Sequence, residues 1–317
     1  MHEEKMKERM AMVKHILDLD MEERMNFLNS FDTVMTDCDG VIWCALREVP
    51  GVGATINALE SYGKRVVYVS NNSTRHTEDY EAKIEKLGVE FRYENLVHPM
   101  VSIVEYLNKI NFQGLIYAIG TDCAKNLLRE AGFKILDGPT GEVEENFMKI
   151  FKTVNDCEPV KLVIVDSDLN FNYAKFMRAD IYLQHPDCNL IIGAYDYRIP
   201  VTQDFDLPGQ GPFVDGLVGV LPAGKKPIVL GKPGEALGQL LMDKYCIKDP
   251  KRVLFVGDLI NTDVKFARDV GFQSLLVLTG GTTREKMLAN ENSTAIPHFY
   301  ADSLSDLATL IQSILSQ

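Results

Sequence analysis

The sequence predicts an α/β fold in which a parallel sheet forms a core and a second α/β unit is inserted into that core. Short β-rich runs alternate with helical patterns along the chain, which is typical of βαβ units and a parallel sheet. The middle of the chain carries β-rich runs of its own. We therefore expect a core made of residues 1–110 and 227–317, with an inserted α/β unit at residues 111–226.

The core sheet is predicted from β-rich runs that are separated by helical segments. In the helical segments, apolar side chains recur every three or four positions, as at Tyr80, Ile84 and Leu87. Gly88 and Gly271 follow two of these segments, where a helix often ends in a left-handed residue. The predicted strands cover residues 31–36, 65–70, 228–231, 252–257 and 274–279.

The inserted unit has its own strand candidates, each of which is a short apolar run. These runs read "GLIYAIG", "KLVIVDSD" and "CNLIIGAY". Residues 200–216 contain several prolines and glycines, and they are expected to form a loop.

Two amphipathic helices are predicted before the first strand. Asp20 and Glu23 have the spacing of a capping box, which would mark the start of the second helix. We expect both apolar stripes to pack on their own domain rather than on a partner. The stripes consist of Met6, Met10, Val13 and Leu17 in the first helix, and of Met21, Met25 and Leu28 in the second.

Composition limits the kind of protein. The formal net charge of −12 disfavours a nucleic-acid-binding surface, which needs clustered Lys and Arg. Apolar runs stay well short of the roughly 18 residues of a membrane span. The N-terminus is too charged for a secretory signal, and the six cysteines are scattered without a C-x-x-C pair. We therefore expect a cytoplasmic protein that binds neither nucleic acid nor membrane.

Polar residues follow four of the predicted core strands, at the point where each strand ends. Each cluster alone is typical of a turn, but four in succession favour a functional site. Because ligands bind beyond the carboxyl ends of parallel strands, we expect the clusters to converge on one edge of one sheet. The clusters are "DCDG" from Asp37, "SNNST" from Ser70, "GKPG" around Lys232 and "GDLINTD" around Asp258.

The acids in these clusters indicate a metal site. Asp37, Asp39, Asp258 and Asp263 provide oxygen ligands without thiolate or imidazole, a set that suits a hard cation such as Mg²⁺. A divalent cation would also offset the repulsion between Asp37 and Asp39, which are separated by one residue.

The remaining residues of the clusters indicate a phosphate site beside the metal. Lys232 would add a fixed positive charge, while Ser70 and Asn71 would add neutral donors. A carboxylate held by the metal can attack phosphorus and form an aspartyl-phosphate. The second acid lies on the same side of the chain and could exchange a proton with the leaving group.

Other phosphate and metal motifs fail. "GVLPAGKK" nearly spells a P-loop, but Lys226 stands where the motif needs Ser or Thr, and Pro227 opens a strand-like run rather than a helix. No Cys and His spacing indicates a zinc site.

The four motifs together resemble the haloacid dehalogenase superfamily of phosphatases. Within it, the chain is similar to the branch of 4-nitrophenylphosphatase, phosphoglycolate phosphatase and pyridoxal phosphatase (chronophin). "DCDGVIW", "SNNST", "GKP" and "GDLINTD" occur in the order and at the spacings of that family, from about residue 21 to residue 287. The resemblance implies a Rossmann-like parallel-sheet core with a large α/β cap inserted between the second and third motifs.

The resemblance also implies roles for individual residues. Asp37 would be the nucleophile and Asp39 the general acid and base. Ser70 would bind the phosphoryl oxygens with help from the neighbouring asparagines, and Lys232 would bind the phosphate and orient Asp37. The Mg²⁺ ligands would be the Asp37 carboxylate, the Asp39 main-chain carbonyl and Asp258, with Asp263 in support. The asparagines are Asn71 and Asn72.

The chain departs from the family in a loop of the cap, where it reads "GAYDYRIP". We expect this loop to reach over the core site and to select the leaving group, through Ala194, Tyr195, Asp196 and Arg198. Tyr195 could stack on a substrate ring, and Arg198 could pair with a substrate carboxylate. A plain hairpin turn, with the aromatic ring resting on the cap, is the alternative.

The expected function is a Mg²⁺-dependent phosphomonoesterase for small phosphorylated metabolites. The substrates would be phosphoglycolate-like, pyridoxal phosphate-like or aryl phosphates. A catalytically weak phosphate-metabolite binding or protein-interaction module with the same fold is the alternative, and a phosphomutase also stays open. The resemblance further implies a homodimer formed through the cap.

Overall fold

The computed structural model describes residues 13–44, 47–202 and 205–316. The strands are β1 (Lys14–His15), β2 (Thr33–Thr36), β3 (Trp43–Cys44), β4 (Arg47–Glu48), β5 (Arg65–Val69), β6 (Leu96–Val97), β7 (Leu115–Ile119), β8 (Lys134–Asp137), β9 (Val160–Val165), β10 (Asn189–Ile192), β11 (Arg198–Thr202), β12 (Phe205–Pro208), β13 (Ile228–Val229), β14 (Val253–Gly257), β15 (Gln273–Val277) and β16 (Phe299–Ala301). The α-helices are α1 (Met21–Asn29), α2 (Val52–Ser61), α3 (Thr77–Lys86), α4 (Pro99–Lys109), α5 (Asp122–Glu130), α6 (Phe147–Val154), α7 (Tyr173–Leu183), α8 (Gly211–Gly219), α9 (Glu235–Lys244), α10 (Lys265–Val270), α11 (Arg284–Leu288) and α12 (Asp306–Leu315).

The core sheet is parallel throughout, with seven strands in the order β1-β16-β15-β14-β2-β5-β6. Side chains alternate along β2, so that Val34 packs into one hydrophobic cluster and Met35 into another. All four residues of β2 are buried, because helices cover both faces of the sheet. The predicted α/β class, a Rossmann-like parallel-sheet core with an inserted α/β unit, is confirmed.

The inserted unit has a second parallel sheet, with five strands in the order β13-β10-β9-β7-β8. The three strand candidates of this unit are confirmed as β7, β9 and β10. The exact domain boundaries stay a prediction: a core of residues 1–110 and 227–317, and an inserted unit of residues 111–226.

The run 228–231 was predicted as a strand of the core sheet, and this prediction was wrong. The structure places β13 in the second sheet, where Ile228 pairs with Ile191 and Val229 with Ile192. A strand of two residues carries no local signal of the sheet that it joins, because only its long-range partners decide that. The second sheet therefore extends past residue 226.

Residues 200–216 were predicted as a loop, but they include most of an antiparallel hairpin, β11 with β12, and the start of α8. Pro212 lies in the first turn of α8, where a proline costs no hydrogen bond. A side chain at Gly209 would meet the main-chain oxygen of Asp196 at 2.0 Å, so this glycine allows a close chain crossing. Proline and glycine here serve a compact element rather than an irregular loop.

The first of the two predicted N-terminal helices is absent from the described residues. Residues 14–15 form the short edge strand β1, which pairs with β16, and a 3₁₀ turn follows at Ile16–Asp18. Val13 and Leu17 therefore do not lie on a common α-helix. Met6 and Met10 lie outside the described residues.

The second helix is confirmed as α1, and so is its capping box. Asp20 Oδ1 accepts a hydrogen bond from Glu23 N at 2.9 Å, and Asp20 N donates to Glu23 Oε2 at 3.1 Å. Within the described ranges, no helix is long and apolar enough to cross a bilayer.

Three of the four polar clusters leave the core sheet at the same edge. Asp37 follows β2, Ser70 follows β5 and Asp258 follows β14, and these three strands are neighbours in the sheet. Lys232 follows β13 of the second sheet, and its ammonium nevertheless lies 2.9 Å from Asp37 Oδ1. The clusters thus meet at one place, but two sheets provide them.

Candidate active site

Asp37 is held where strand β2 ends. Its main-chain N–H donates to Val256 O at 2.8 Å, which continues the pairing with β14. One carboxylate oxygen accepts from Cys38 N at 2.7 Å, and the same oxygen lies against the Lys232 ammonium. Burial raises the pKa of Asp37 well above its ordinary value, although Lys232 opposes this shift.

Lys232 is fully buried between two carboxylates. Its Nζ lies 2.9 Å from Asp37 Oδ1 and donates to Asp263 Oδ1 at 2.8 Å. Burial opposes the charge, but Asp263 and Asp37 outweigh it and raise the pKa of Lys232 above its ordinary value. The ammonium therefore stays charged and fixes the orientation of both acids.

Asp258 and Asp263 differ in how their oxygens are used. Asp263 Oδ2 accepts from the main-chain N–H groups of Asp258 and Leu259, both at 3.0 Å, and its other oxygen faces Lys232. Asp258 Oδ2 accepts from Gly281 N at 2.6 Å, whereas Asp258 Oδ1 is buried and has no hydrogen-bond partner among the described residues. Burial, followed by the charge of Asp263, raises the pKa of Asp258.

Two glycines make room for the Asp258 carboxylate. A Cβ at Gly40, where φ is +88°, would lie 2.4 Å from Asp258 Oδ2. A Cβ at Gly280 would lie 2.0 Å from the same oxygen. Any side chain at either position would displace the carboxylate.

These acids fit a bound cation. Carboxylate oxygens of Asp37, Asp258 and Asp263 all lie within 4.8 Å of one another, and Lys232 is the cation that touches this group in the described structure. An unpartnered carboxylate oxygen in a buried site is costly unless a further positive charge meets it. An all-oxygen donor set suits Mg²⁺.

The loop after β5 is held by Tyr80, a buried residue of α3. Its hydroxyl donates to Asn72 O at 2.6 Å and lies 3.0 Å from Ser70 Oγ, within hydrogen-bond distance. Ser70 Oγ in turn accepts from Asn72 N at 3.0 Å. The hydroxyl of Ser70 is therefore fixed beside the acids, as a phosphate-binding donor would need to be.

Asn71 joins the core to the cap, the name used from here on for the inserted unit. Its side chain accepts from Lys232 N at 2.8 Å and donates to Lys232 O and Asp196 Oδ2, both at 3.0 Å. The other oxygen of Asp196 accepts from Thr262 at 3.4 Å. Burial raises the pKa of Asp196 to about 6.

A second buried contact joins the same loop to the cap. Ser73 donates a hydrogen bond to Asp166, which follows β9. Asp166 Oδ1 also accepts from Ala194 N at 2.9 Å, so this acid ties the loop after β10 to the loop after β5. Ser73 and Asp166 are both buried, so this hydrogen bond connects the core to the cap close to the site.

The Asp39 carboxylate turns towards Arg75 rather than towards the other acids. Arg75 donates to it through two nitrogens, at 2.9 and 3.0 Å. Trp43 Nε1 donates at 2.9 Å and Asn72 Nδ2 at 3.3 Å. The Asp39 carboxylate is not part of the group formed by Asp37, Asp258 and Asp263. Of the predicted metal ligands, Asp39 could therefore bind a metal only through its main-chain carbonyl.

Most of the predicted site residues line one cavity of about 430 Å³, but Asp263, whose oxygens face Lys232 and two main-chain N–H groups, does not. From the cap, Ala194, Asp196 and Arg198 also line it, and their selection of the leaving group stays a prediction. Tyr195 does not line this cavity, and its hydroxyl donates to Asp215 Oδ1 at 2.6 Å while its ring stacks on Tyr197. The core residues that line it are Asp37, Asp39, Ser70, Asn71, Asn72, Lys232 and Asp258.

Sequence reasoning missed three residues that shape the site. Tyr80 was noted only as part of an apolar helix stripe, and Arg75 follows "SNNST" directly without belonging to it. Gly280 lies in "TGGTT", shortly after the end of β15. Two consecutive glycines after a strand are typical of a turn, so this pattern could have pointed to Gly280. The roles of Arg75 and Tyr80 depend on contacts across the fold, which no local pattern encodes.

Comparisons with known proteins agree with this geometry. The haloacid dehalogenase-like hydrolase family matches residues 34–134, and a HAD-hydrolase-like family matches residues 229–307. The 4-nitrophenylphosphatase of Schizosaccharomyces pombe is 30% identical and covers 90% of this chain and 96% of its own. The chloroplastic phosphoglycolate phosphatase 1A of Arabidopsis thaliana is 32% identical and covers 90% of this chain and 79% of its own.

A solved structure supports the same conclusion. The crystal structure of the 4-nitrophenylphosphatase from Thermotoga maritima superposes with a TM-score of 0.71 at 26% identity, covering 90% of this chain and 99% of that one. The fold and the curated relatives point to one enzyme class. This chain belongs to the haloacid dehalogenase-like hydrolases, and it is a phosphatase that acts on phosphoric monoesters.

Proposed function

We propose that the protein is a Mg²⁺-dependent phosphomonoesterase that works through an aspartyl-phosphate on Asp37. One observation carries this proposal: Asp37, oriented by a buried ammonium, opens into a cavity beside the unpartnered Asp258 Oδ1. A fixed carboxylate next to a place for a cation is what nucleophilic attack on a phosphate monoester requires.

In the first half of the reaction, an Asp37 oxygen attacks phosphorus while the bond from phosphorus to the leaving oxygen breaks. Asp39 gives a proton to that oxygen. In the second half, Asp39 takes a proton from water, whose oxygen attacks the aspartyl-phosphate, releasing inorganic phosphate and the Asp37 carboxylate. Mg²⁺, when held by Asp37, Asp258 and the Asp39 main-chain carbonyl with Asp263 in support, would neutralise phosphate charge and stabilise the transition state.

Ser70 and Lys232 are the proposed phosphate ligands, since both line the cavity and both are fixed by buried partners. The Asn72 amide already donates to Asp39, and the Asn71 side chain already bridges Lys232 and Asp196. We infer that these asparagines shape the phosphate loop more than they hold the substrate.

Small phosphorylated metabolites are the proposed substrates, including phosphoglycolate-like, pyridoxal phosphate-like and aryl phosphates. The names of the two curated relatives support the first and last of these classes. A cavity of about 430 Å³ suits a ligand of that size.

The protein is further proposed to be cytoplasmic. All six cysteines are free thiols in the structure, which is usual for a reducing compartment.

Asp37→Asn is expected to abolish turnover and leave the fold intact, because an amide has nearly the same shape but cannot serve as the nucleophile. The rate of 4-nitrophenyl phosphate hydrolysis should fall by several orders of magnitude. Asp302→Asn, at a mostly exposed acid of the core, is the control. Residual activity above about a tenth of wild type in clean, folded protein would refute the nucleophile assignment.

The metal site makes a second prediction. Activity should disappear with chelator, return with Mg²⁺ and stay low with Ca²⁺, whose longer bonds and additional ligands would disturb the alignment of Asp37. Gly280→Ala should weaken Mg²⁺ binding about tenfold or more in calorimetry, because the new Cβ would displace Asp258.

Gly219→Ala is the matched control, since a Cβ there would meet no atom within 4 Å. Full activity in chelator, or equal Mg²⁺ affinity in the two glycine variants, would show that Asp258 does not hold a metal.

Selectivity is proposed to depend on Arg198 rather than on Tyr195. Arg198 lines the cavity and its side chain is 60% exposed, whereas Tyr195 is tied to Asp215. Arg198→Ala should lower kcat/KM for phosphoglycolate about tenfold or more, with a much smaller change for glycerol phosphate, which lacks the carboxylate. Tyr195→Ala should affect both substrates alike. If Arg198→Ala lowers kcat/KM equally for phosphoglycolate and glycerol phosphate, the loop does not select the leaving group.

A homodimer through the cap is proposed as well, because the hairpin β11–β12 exposes large apolar side chains that water disfavours. Ile199, Phe205 and Leu207 are 46%, 56% and 47% exposed. In sedimentation experiments, Leu207→Glu should convert the dimer to a 35.6 kDa monomer. Leu315→Glu, at an exposed position on α12, is the control and should leave the dimer intact. A monomeric wild type would end this proposal.

A further inference from the structure

The second acid of "DCDG" stands apart from the other acids, although only one residue separates it from Asp37. Its carboxylate accepts hydrogen bonds from Arg75, Trp43 and Asn72, while the oxygens of Asp37, Asp258 and Asp263 gather elsewhere. A free carboxylate beside a cation site would be attracted to the cation. Something must therefore keep Asp39 out of that group, and the hydrogen bonds identify Arg75 as the main candidate.

Arg75 is built to hold a fixed position. Its guanidinium carbon lies 5.7 Å from the ring centroid of Trp43 and 5.9 Å from that of Tyr80, and both rings are buried. Stacking on aromatic rings and two parallel bonds to one carboxylate together restrict the guanidinium more than either contact alone. The Arg75 side chain is only 22% exposed, so water competes weakly with these contacts.

We propose that Arg75 is a positioning residue for the acid–base step: it keeps the Asp39 carboxylate away from the metal ligands and aims it at the leaving oxygen. This inference rests on the proposed function. Asp39 and Arg75 line the same cavity as Asp37, and the Asp39 side chain is 36% exposed there.

A role in substrate binding fits the contacts less well. Both terminal nitrogens of Arg75 are already bonded to Asp39, and its planar group lies over two rings. A substrate carboxylate would have to displace Asp39. The two roles can be separated by the leaving group, because a proton donor matters for an alkoxide and much less for nitrophenolate, which departs readily as an anion.

The test compares Arg75→Met with wild type on three substrates, with kcat/KM as the readout because it excludes the later hydrolysis of the aspartyl-phosphate. We expect Arg75→Met to lower kcat/KM about 100-fold or more for glycerol phosphate and phosphoglycolate. For 4-nitrophenyl phosphate, kcat/KM should fall only a few-fold. Arg75→Lys keeps the charge but not the paired donors, so its kcat/KM values should lie between those of wild type and Arg75→Met. In an Asp39→Asn background, Arg75→Met should add little.

Lys83→Met is the matched control, since Lys83 Nζ lies 4.3 Å from the Trp43 ring centroid but forms no ion pair or hydrogen bond with Asp39 within the described part of the chain. It should change all three substrates by similar small factors. Equal losses on all three substrates in Arg75→Met would show a general packing role and overturn the proposal. A loss confined to phosphoglycolate would show a substrate contact and overturn it as well. Inactive wild-type protein would instead refute the proposed function itself.

Discussion

The buried Lys232 ammonium, placed between Asp37 and Asp263, is the interaction on which the rest of the site depends. Burying a lysine is costly unless strong partners surround it, and here two carboxylates provide the compensation. The lysine follows a strand of the cap sheet, while both acids follow strands of the core sheet. One ion-pair network thus orients Asp37, the proposed nucleophile, and also joins the cap to the core.

The same network explains why the site has an unbalanced charge. Three acids and one lysine leave excess negative charge, and Asp258 Oδ1 is the buried atom at which this excess is not neutralised. Gly40 and Gly280 lack side chains and so leave room for the Asp258 carboxylate at this place. A buried polar group without a partner in a functional site is often explained by a ligand or ion that binds there.

The motif residues could be predicted from sequence because they directly follow buried strands, so local pattern and strand direction were sufficient. This holds for Asp37, Ser70 and Asp258. The sheet joined by β13 could not be predicted, because two residues pair through distant partners. Arg75 was missed for a similar reason: its partners Asp39, Trp43 and Tyr80 are brought together only by the tertiary fold. The hairpin at 198–208 was missed because proline and glycine are also typical of loops.

Two residues of the cap loop, Asp196 and Arg198, have different surroundings although only one residue separates them. Asp196 is half-buried and accepts hydrogen bonds from Asn71 and Thr262, whereas the Arg198 side chain is exposed at the cavity. Because their surroundings are so different, substitutions at the two positions would have separate consequences. If Arg198 selects the leaving group as proposed, evolution can exchange it while Asp196 keeps its contacts between the cap and the core. Such a division allows a family to diversify its substrates without rebuilding its catalytic centre.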